Sequence, residues 1–282
     1  MIGRKKKQAL AQMVSPEQLT DEKEYTLFKD AMGRLVANRA AVISLILIAF
    51  LFFLAIFGPY ITPYDFLSQD MDLRSAPPSS EHLLGTDDLG RDVLSRVIYG
   101  ARTAVILSLC ITVMSFVIGI ILGSIAGYLG GKVDMFITWL MDVTMSVPSL
   151  LLVIVINASL KPLMVNWMDA RYLETLNEIY RQTVLADFVL VFGTISLVKW
   201  PKAARIIRGQ ILTIRNKNYV LAAQALGVPP GKVLKRYVIP NSLGPVIVLF
   251  SAVLGESMVL ESAFSFLGVG VRPPMPSWGN MI

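Results

Sequence analysis

The sequence predicts an all-α fold, a polytopic membrane bundle of about five spans with one short helix held outside the bilayer. Three observations carry this. The 282 residues are 54% hydrophobic and only 16% charged, with a mean hydropathy of +0.60, against about 25% charged residues in a soluble domain. Several apolar windows are long enough to cross a bilayer. Basic residues gather in two blocks beside such windows, so the net charge of +6 reports orientation in a membrane and argues against nucleic acid as a partner.

Residues 1–38 open with Arg4, Lys5, Lys6 and Lys7. The first apolar run arrives too late and is too long for a signal peptide, so this stretch reads as a cytoplasmic tail. Within it Phe28, Leu35 and Val36 either form an amphipathic helix on the membrane surface or belong to a loosely ordered segment. Ala40 to Phe57 is the first span, with Ser44 its only polar residue. Arg34 and Arg39 flank its start and keep the N-terminus inside; Gly58-Pro59 and Pro63 end it. Tyr60 to Ala101 is an outside loop, so residues 39–101 form a span-and-loop unit and 102–282 the helical core.

The acids of that loop, Asp87, Asp88 and Asp92, tempt a metal reading. Their spacing does not fit a calcium loop, no terminal Glu follows, and Arg91 and Arg96 lie among them, so helix capping and local ion pairs are expected instead. Leu89, Val93 and Val97 recur every four residues, as in a helix lying along the membrane surface. His82, the single histidine, reads as a loop residue without a partner ligand. Cys110, the single cysteine, allows no intrachain disulfide and no zinc site, and is assigned to core or lipid packing.

Thr103 to Leu129 is the second span. Ser115, Gly119, Gly123 and Gly127 put small residues in one stripe, which predicts a close helix–helix seam. Gly130-Gly131-Lys132 then turns the chain. It is not a phosphate loop, because Ala126 stands at the first glycine position and Val133 follows the lysine; no other stretch fits one, and no cofactor is expected on this chain. Val133 to Leu160 is the third span, kinked at Pro148. Asp142 within it either lines a translocation path or sits near the inner surface with a basic partner. Lys161 to Asp187 is a second outside loop. Phe188 to Val198, extended by Thr183 to Ala186, is the fourth span.

After that span come Lys199, Lys202, Arg205, Arg208, Arg215, Lys217, Lys232, Lys235 and Arg236 with no acid between them, which places the block in the cytoplasm. Inside it Tyr219 to Leu226 is a two-turn helix, too short to be stable alone. Gly227 stops it and Pro229-Pro230 forbid its continuation. Its exposed face is expected to be Ala222, Ala223, Gln224 and Ala225, small enough for another backbone to approach. A second helix starts at the prolines and is interrupted at Pro240. Tyr237 to Leu260 is the fifth span. Glu256 lies deep in it and Glu261 near its outer end, and both serve either a path or helix–helix hydrogen bonding.

Three segments resemble one family. Ala222-Ala223, Gly227 and Ile239-Pro240 are similar to the coupling loop of ABC-importer permeases. Gly85-Thr86-Asp87, then Gly90-Arg91-Asp92, resembles the dipeptide, oligopeptide and nickel branch. So does the run from Glu261-Ser262 through Ser265-Phe266-Leu267-Gly268 and Gly270 to Pro273-Pro274 and Pro276-Ser277-Trp278-Gly279. Two positions depart from the coupling loop: Leu221 stands where the family usually has Glu, and Tyr237 where it usually has His. The resemblance implies half of a heterodimeric permease. Tyr219, Ala222, Ala223, Ala225, Leu226, Gly227 and Pro240 would dock on an ATPase subunit. The partners implied are a homologous second permease, two ATP-binding subunits that carry the ATP and magnesium, an extracytoplasmic substrate-binding protein, and membrane lipids. The cargo implied is di- or oligopeptides or nickel complexes, and the location is the cytoplasmic membrane. The family continues into a sixth span, while this sequence stops at Ile282, outside by the count of spans. Two other classes compete. A secondary transporter or channel would show inverted repeats or paired broken helices. A membrane enzyme would need a site that His82 alone does not supply, with Asp142 and Glu256 the one acid pair on offer.

Overall fold

The structure, a computed structural model, describes residues 27–177 and 183–282. The basic head at Arg4 to Lys7 and the side chains of Phe28 and Asp187 lie outside the described residues. The chain divides into two units, one ending at Phe50 and the other running Leu51–Ile282. In the first, α1 (Leu27–Ala37) gives way at Asn38, whose Oδ1 accepts from the N–H groups of Ala40 and Ala41 at 3.1 and 3.3 Å and so caps α2 (Arg39–Ile61). That helix carries on through Gly58-Pro59, which were expected to end it: Pro59 lies in its last turns, and Gly58 still accepts from Thr62 N–H at 3.0 Å.

In the second unit, α3 (Val93–Leu129) runs for 37 residues, about 55 Å at 1.5 Å per residue. It absorbs both the expected surface helix and the second span, and Leu89 sits in the turn before it. The expected third span is two helices, α4 (Gly131–Ser146) and α5 (Ser149–Thr175). Pro148 has no N–H and forces Val147 into extended backbone (φ −97°, ψ 134°), so the chain breaks here instead of kinking. Helix α5 then runs through Pro162 into what was read as a loop. Helix α6 (Thr183–Ile214) joins the expected fourth span and the first part of the basic block, Lys199 to Arg208, in one unbroken element. Next come α7 (Asn218–Ala225), α8 (Pro230–Val233), a π turn over Leu234–Val238, α9 (Ile239–Ser242) and α10 (Gly244–Phe266). Pro240 and Pro245 fall in the first turns of α9 and α10, where a missing N–H is tolerated. The expected interruption at Pro240 therefore does not occur, and the fifth span begins at Gly244. Among the described residues, Arg39–Ile61, Val93–Leu129, Ser149–Thr175 and Gly244–Phe266 are long and apolar enough to cross a membrane, and no element is a strand.

The seam between α3 and α6 is the centre of the bundle. A Cβ added at Gly119 would lie 2.7 Å from Ala203 Cβ, one at Gly123 would lie 2.5 Å from Ala204 O, and one at Gly127 would lie 3.0 Å from Arg208 O. Ser115 extends the stripe, donating to Ser196 O at 3.4 Å, and Ser196 donates back to Ile111 O at 3.3 Å. All four residues thus lie on one face of α3 against α6. Asn157 ties α5 to α6 through Thr194 Oγ1 at 2.9 Å. Cys110 is exposed on the flank of α3.

Candidate functional site

The basic end of the molecule carries a small protruding knob. Helix α7 is eight residues long and has no side-chain N-cap. Its far end closes because Gly227 adopts φ +77°, letting its N–H reach Gln224 O at 2.9 Å and Val228 N–H reach Ala223 O at 3.1 Å. Val220 and Ala223 anchor the helix in a core that also holds Phe116, Ile207, Ile211, Val233, Val238, Val246 and Val253. Turned outward are Tyr219, Leu221, Ala222, Gln224, Ala225, Gly227 and, most of all, Leu226 at 84% exposure. Pro240 is exposed beside a shallow pocket with Gly231, Lys232, Lys235 and Arg236. One expected contact residue is corrected. Ala223 is 6% exposed and faces the chain's own core, because a side chain four positions before Gly227 on so short a helix points where Val220 points.

Above the knob, α6 bears a ladder of cations at every third residue. Lys199 and Lys202 both hold Glu256 of α10, at 3.0 and 2.6 Å; Arg205 holds Asp142 of α4 at 2.6 Å; Arg208 makes a two-pronged pair with Asp134 of α4. Three residues fall about 60° short of a full turn, so successive rungs rotate around the helix and pass from α10 to α4. The Arg208 guanidinium holds the Asp134 carboxyl below its ordinary value, burial opposing the shift. Arg215 ends the run by donating to Gly127 O at 3.0 Å. Asp142 thus has a basic partner, and so does Glu256, which was read from the sequence as an acid deep in a span. Asp134 escaped the sequence reading altogether; the every-third-residue cations of 199–208 were its visible signal. Between the α4–α5 break and the first two rungs opens a cleft of about 440 Å³, lined by Thr144 to Ser149, Val198, Lys199, Lys202 and Glu256.

The opposite end of α10 is closed. Glu261 is fully buried and accepts from Ser265 and Ser277 hydroxyls, each at 2.8 Å. It fastens the C-terminal segment to α10, so of the two uses open to it from the sequence the structure shows hydrogen bonding. Trp278 completes this fastening, donating from Nε1 to Val97 O at 3.0 Å beside Gly100. The acids of the neighbouring loop cap and pair as expected. Asp92 accepts from Ser95 N–H at 2.7 Å at the start of α3, and Asp87 pairs with Arg91 at 2.7 Å and Arg96 at 3.5 Å. Burial acts most strongly on the Asp87 carboxyl and pushes it up, but the Arg91 and Leu89 N–H groups and the Arg91 charge together bring it below its ordinary value. His82 does have a partner, since its Nδ1 lies 2.9 Å from Asp92 Oδ1.

Residues 119–282 match the family described as binding-protein-dependent transport system inner membrane component, and residues 26–78 match the N-terminal TM domain of oligopeptide transport permease C. The chain is similar to the oligopeptide transport system permease protein OppC of Bacillus subtilis strain 168, with 34% identity over 260 residues, 92% of this chain and 77% of that protein. It is 33% identical to the dipeptide transport system permease protein DppC of the same strain, across 90% of this chain and 72% of that one. The glutathione transport system permease protein GsiD of Pectobacterium atrosepticum is 29% identical across 94% of this chain and 80% of its own.

Proposed function

The chain belongs to the family of binding-protein-dependent transport system inner membrane components, and on that premise we propose that it is one half of the translocation path of an ATP-driven importer of di- or oligopeptides. The knob α7–Gly227 docks on an ATP-binding subunit. A second, homologous permease completes the path, two ATP-binding subunits carry the ATP and magnesium, and an extracytoplasmic protein delivers cargo. The N-terminus and the basic block lie on the cytoplasmic side.

The observation that carries this reading is the shape of the knob: a helix too short to stand alone, its outer face ending in Leu226 at 84% exposure. Val220 and Ala223 share one core with residues of α3, α6 and α10. Close-packed side chains transmit displacement with little compression. A push on α7 therefore moves three long helices together, and such a bundle switches between discrete arrangements. The ladder ties α4 and α10 to the same α6, so the motion reaches the acid-bearing helices as well. Copurification tests the assembly. When this chain is expressed with the genes beside its own, two ATP-binding chains and a second permease are expected to elute with it. Peptide uptake by this chain alone, without nucleotide, would contradict the reading.

A further inference from the structure

We propose that the cleft between the α4–α5 break and the first two rungs of the ladder is a wet subsite for the carboxylate of cargo in transit, which deepens the importer reading and rests on it. Three observations meet there. The Glu256 side chain is 41% exposed midway along α10, a helix long and apolar enough to cross a membrane, and Lys202, at the membrane end of the basic block, reaches it at 2.6 Å with its own side chain 45% exposed. Charge at that depth faces water or protein, because facing lipid costs too much. The surface around the cleft therefore looks onto the path or onto the second permease. The cleft is also concave, and its volume of about 440 Å³ falls in the usual range of small-ligand sites, about 300–1,000 Å³.

Its charge does not balance. Two ammonium groups, Lys199 and Lys202, share the single carboxylate of Glu256. No other acid lines the cleft, and Asp142 is held by Arg205. The start of α5, which has no side-chain cap, adds the same sign. A concave cleft with one surplus positive charge concentrates anions. A carboxylate satisfies the surplus by taking one ammonium while Glu256 keeps the other. Lys202, the more exposed of the two, is the one free to turn, since Lys199 is held at 15% exposure. A peptide's C-terminus is the carboxylate that the importer reading supplies. A lipid phosphate has the same charge and is the competing source.

The test uses the assembled importer in lipid nanodiscs, with Val147→Cys on a Cys110→Ser background and other accessible cysteines removed. Val147 lines the cleft, is 40% exposed and carries no charge. Two thiosulfonates of similar size, one bearing a sulfonate and one a trimethylammonium group, are compared at the introduced thiol against a free thiol. The sulfonate is expected to react about tenfold faster, the low end of focusing by a charged cleft. Lys199→Gln with Lys202→Gln removes the preference. A tripeptide with a free carboxylate slows the sulfonate reagent, while its C-terminal amide does not. An unreactive thiol, an equal rate for both reagents, or protection by anionic lipid but not by peptide would each overturn the proposal. ATP-dependent peptide uptake by the unsubstituted importer is read in parallel. Uptake without a charge preference removes the subsite and leaves the permease reading standing; no uptake removes the permease reading itself.

Discussion

Gly123→Ala is expected to lower stability through a single methyl group. The new Cβ would lie 2.5 Å from Ala204 O and 3.0 Å from Ala204 Cα, whereas carbon contacts are optimal at about 3.5–4.0 Å. Both neighbours are backbone, so no side chain can swing aside, and α3 and α6 must separate by about 0.5–1 Å along the seam. A gap of that width forfeits about a quarter to a half of the attraction between facing atoms. Overpacking of this kind costs about 1–3 kcal/mol, which at about 2–4 °C per kcal/mol corresponds to a fall of about 2–12 °C in apparent melting temperature. The control is Gly209→Ala, on the same α6 but with nothing within 4 Å of its added Cβ. Loss of chain entropy in the unfolded state makes that change stabilising by about 0.4–1 kcal/mol. Thermal scans of the purified complex by size-exclusion fluorescence compare the two. Equal shifts, or a stabilised Gly123→Ala, would refute the close-approach seam.

Leu226→Asp is expected to leave the fold intact and abolish cargo-stimulated ATP hydrolysis. Ala223→Asp places an unpaired charge in the core and is expected to reduce the yield of folded protein instead, as membrane-fraction and hydrolysis assays will separate. The Asp134 carboxyl is held below its ordinary value of 3.8 by Arg208, so its contribution is complete above that pH and is lost as pH falls through the lower folded value. Asp134→Asn is accordingly less stable at neutral pH, and its melting temperature falls less than that of the parent on acidification below 3.8. Asp92→Ala removes the cap of α3 and is expected to cost about 0.5–2 kcal/mol in the same scans.

Hydropathy made the apolar segments of α2, α3, α6 and α10 legible, because the bilayer demands long apolar runs. Gly227 and the paired prolines marked the end of α7 for an equally local reason: left-handed backbone and missing N–H groups leave direct traces in the residue order. The stripe from Ser115 to Gly127 announced a close neighbour but not which one, since α6 follows more than fifty residues later. Pro148 gives the same signal for a kink as for a break, and the structure has the break. Ala223 misled because α7 is nearly uniform in polarity around its circumference, leaving no periodicity to say which alanine turns in. The ladder was hidden by distance. Its partners lie 54 to 74 residues apart, so the residue order did not say which cation each acid in an apolar run would meet.

The docking of α7 is tested most directly by a single cysteine. On a Cys110→Ser background, Leu226→Cys in the assembled importer is treated with a short thiol cross-linker against cysteines placed along the surface of the ATP-binding subunit. The account predicts one covalent adduct with that subunit, and labelling of the unlinked thiol by an impermeant reagent only from the ATP side. Failure to link at any position, with labelling from the opposite face of the membrane, would contradict it.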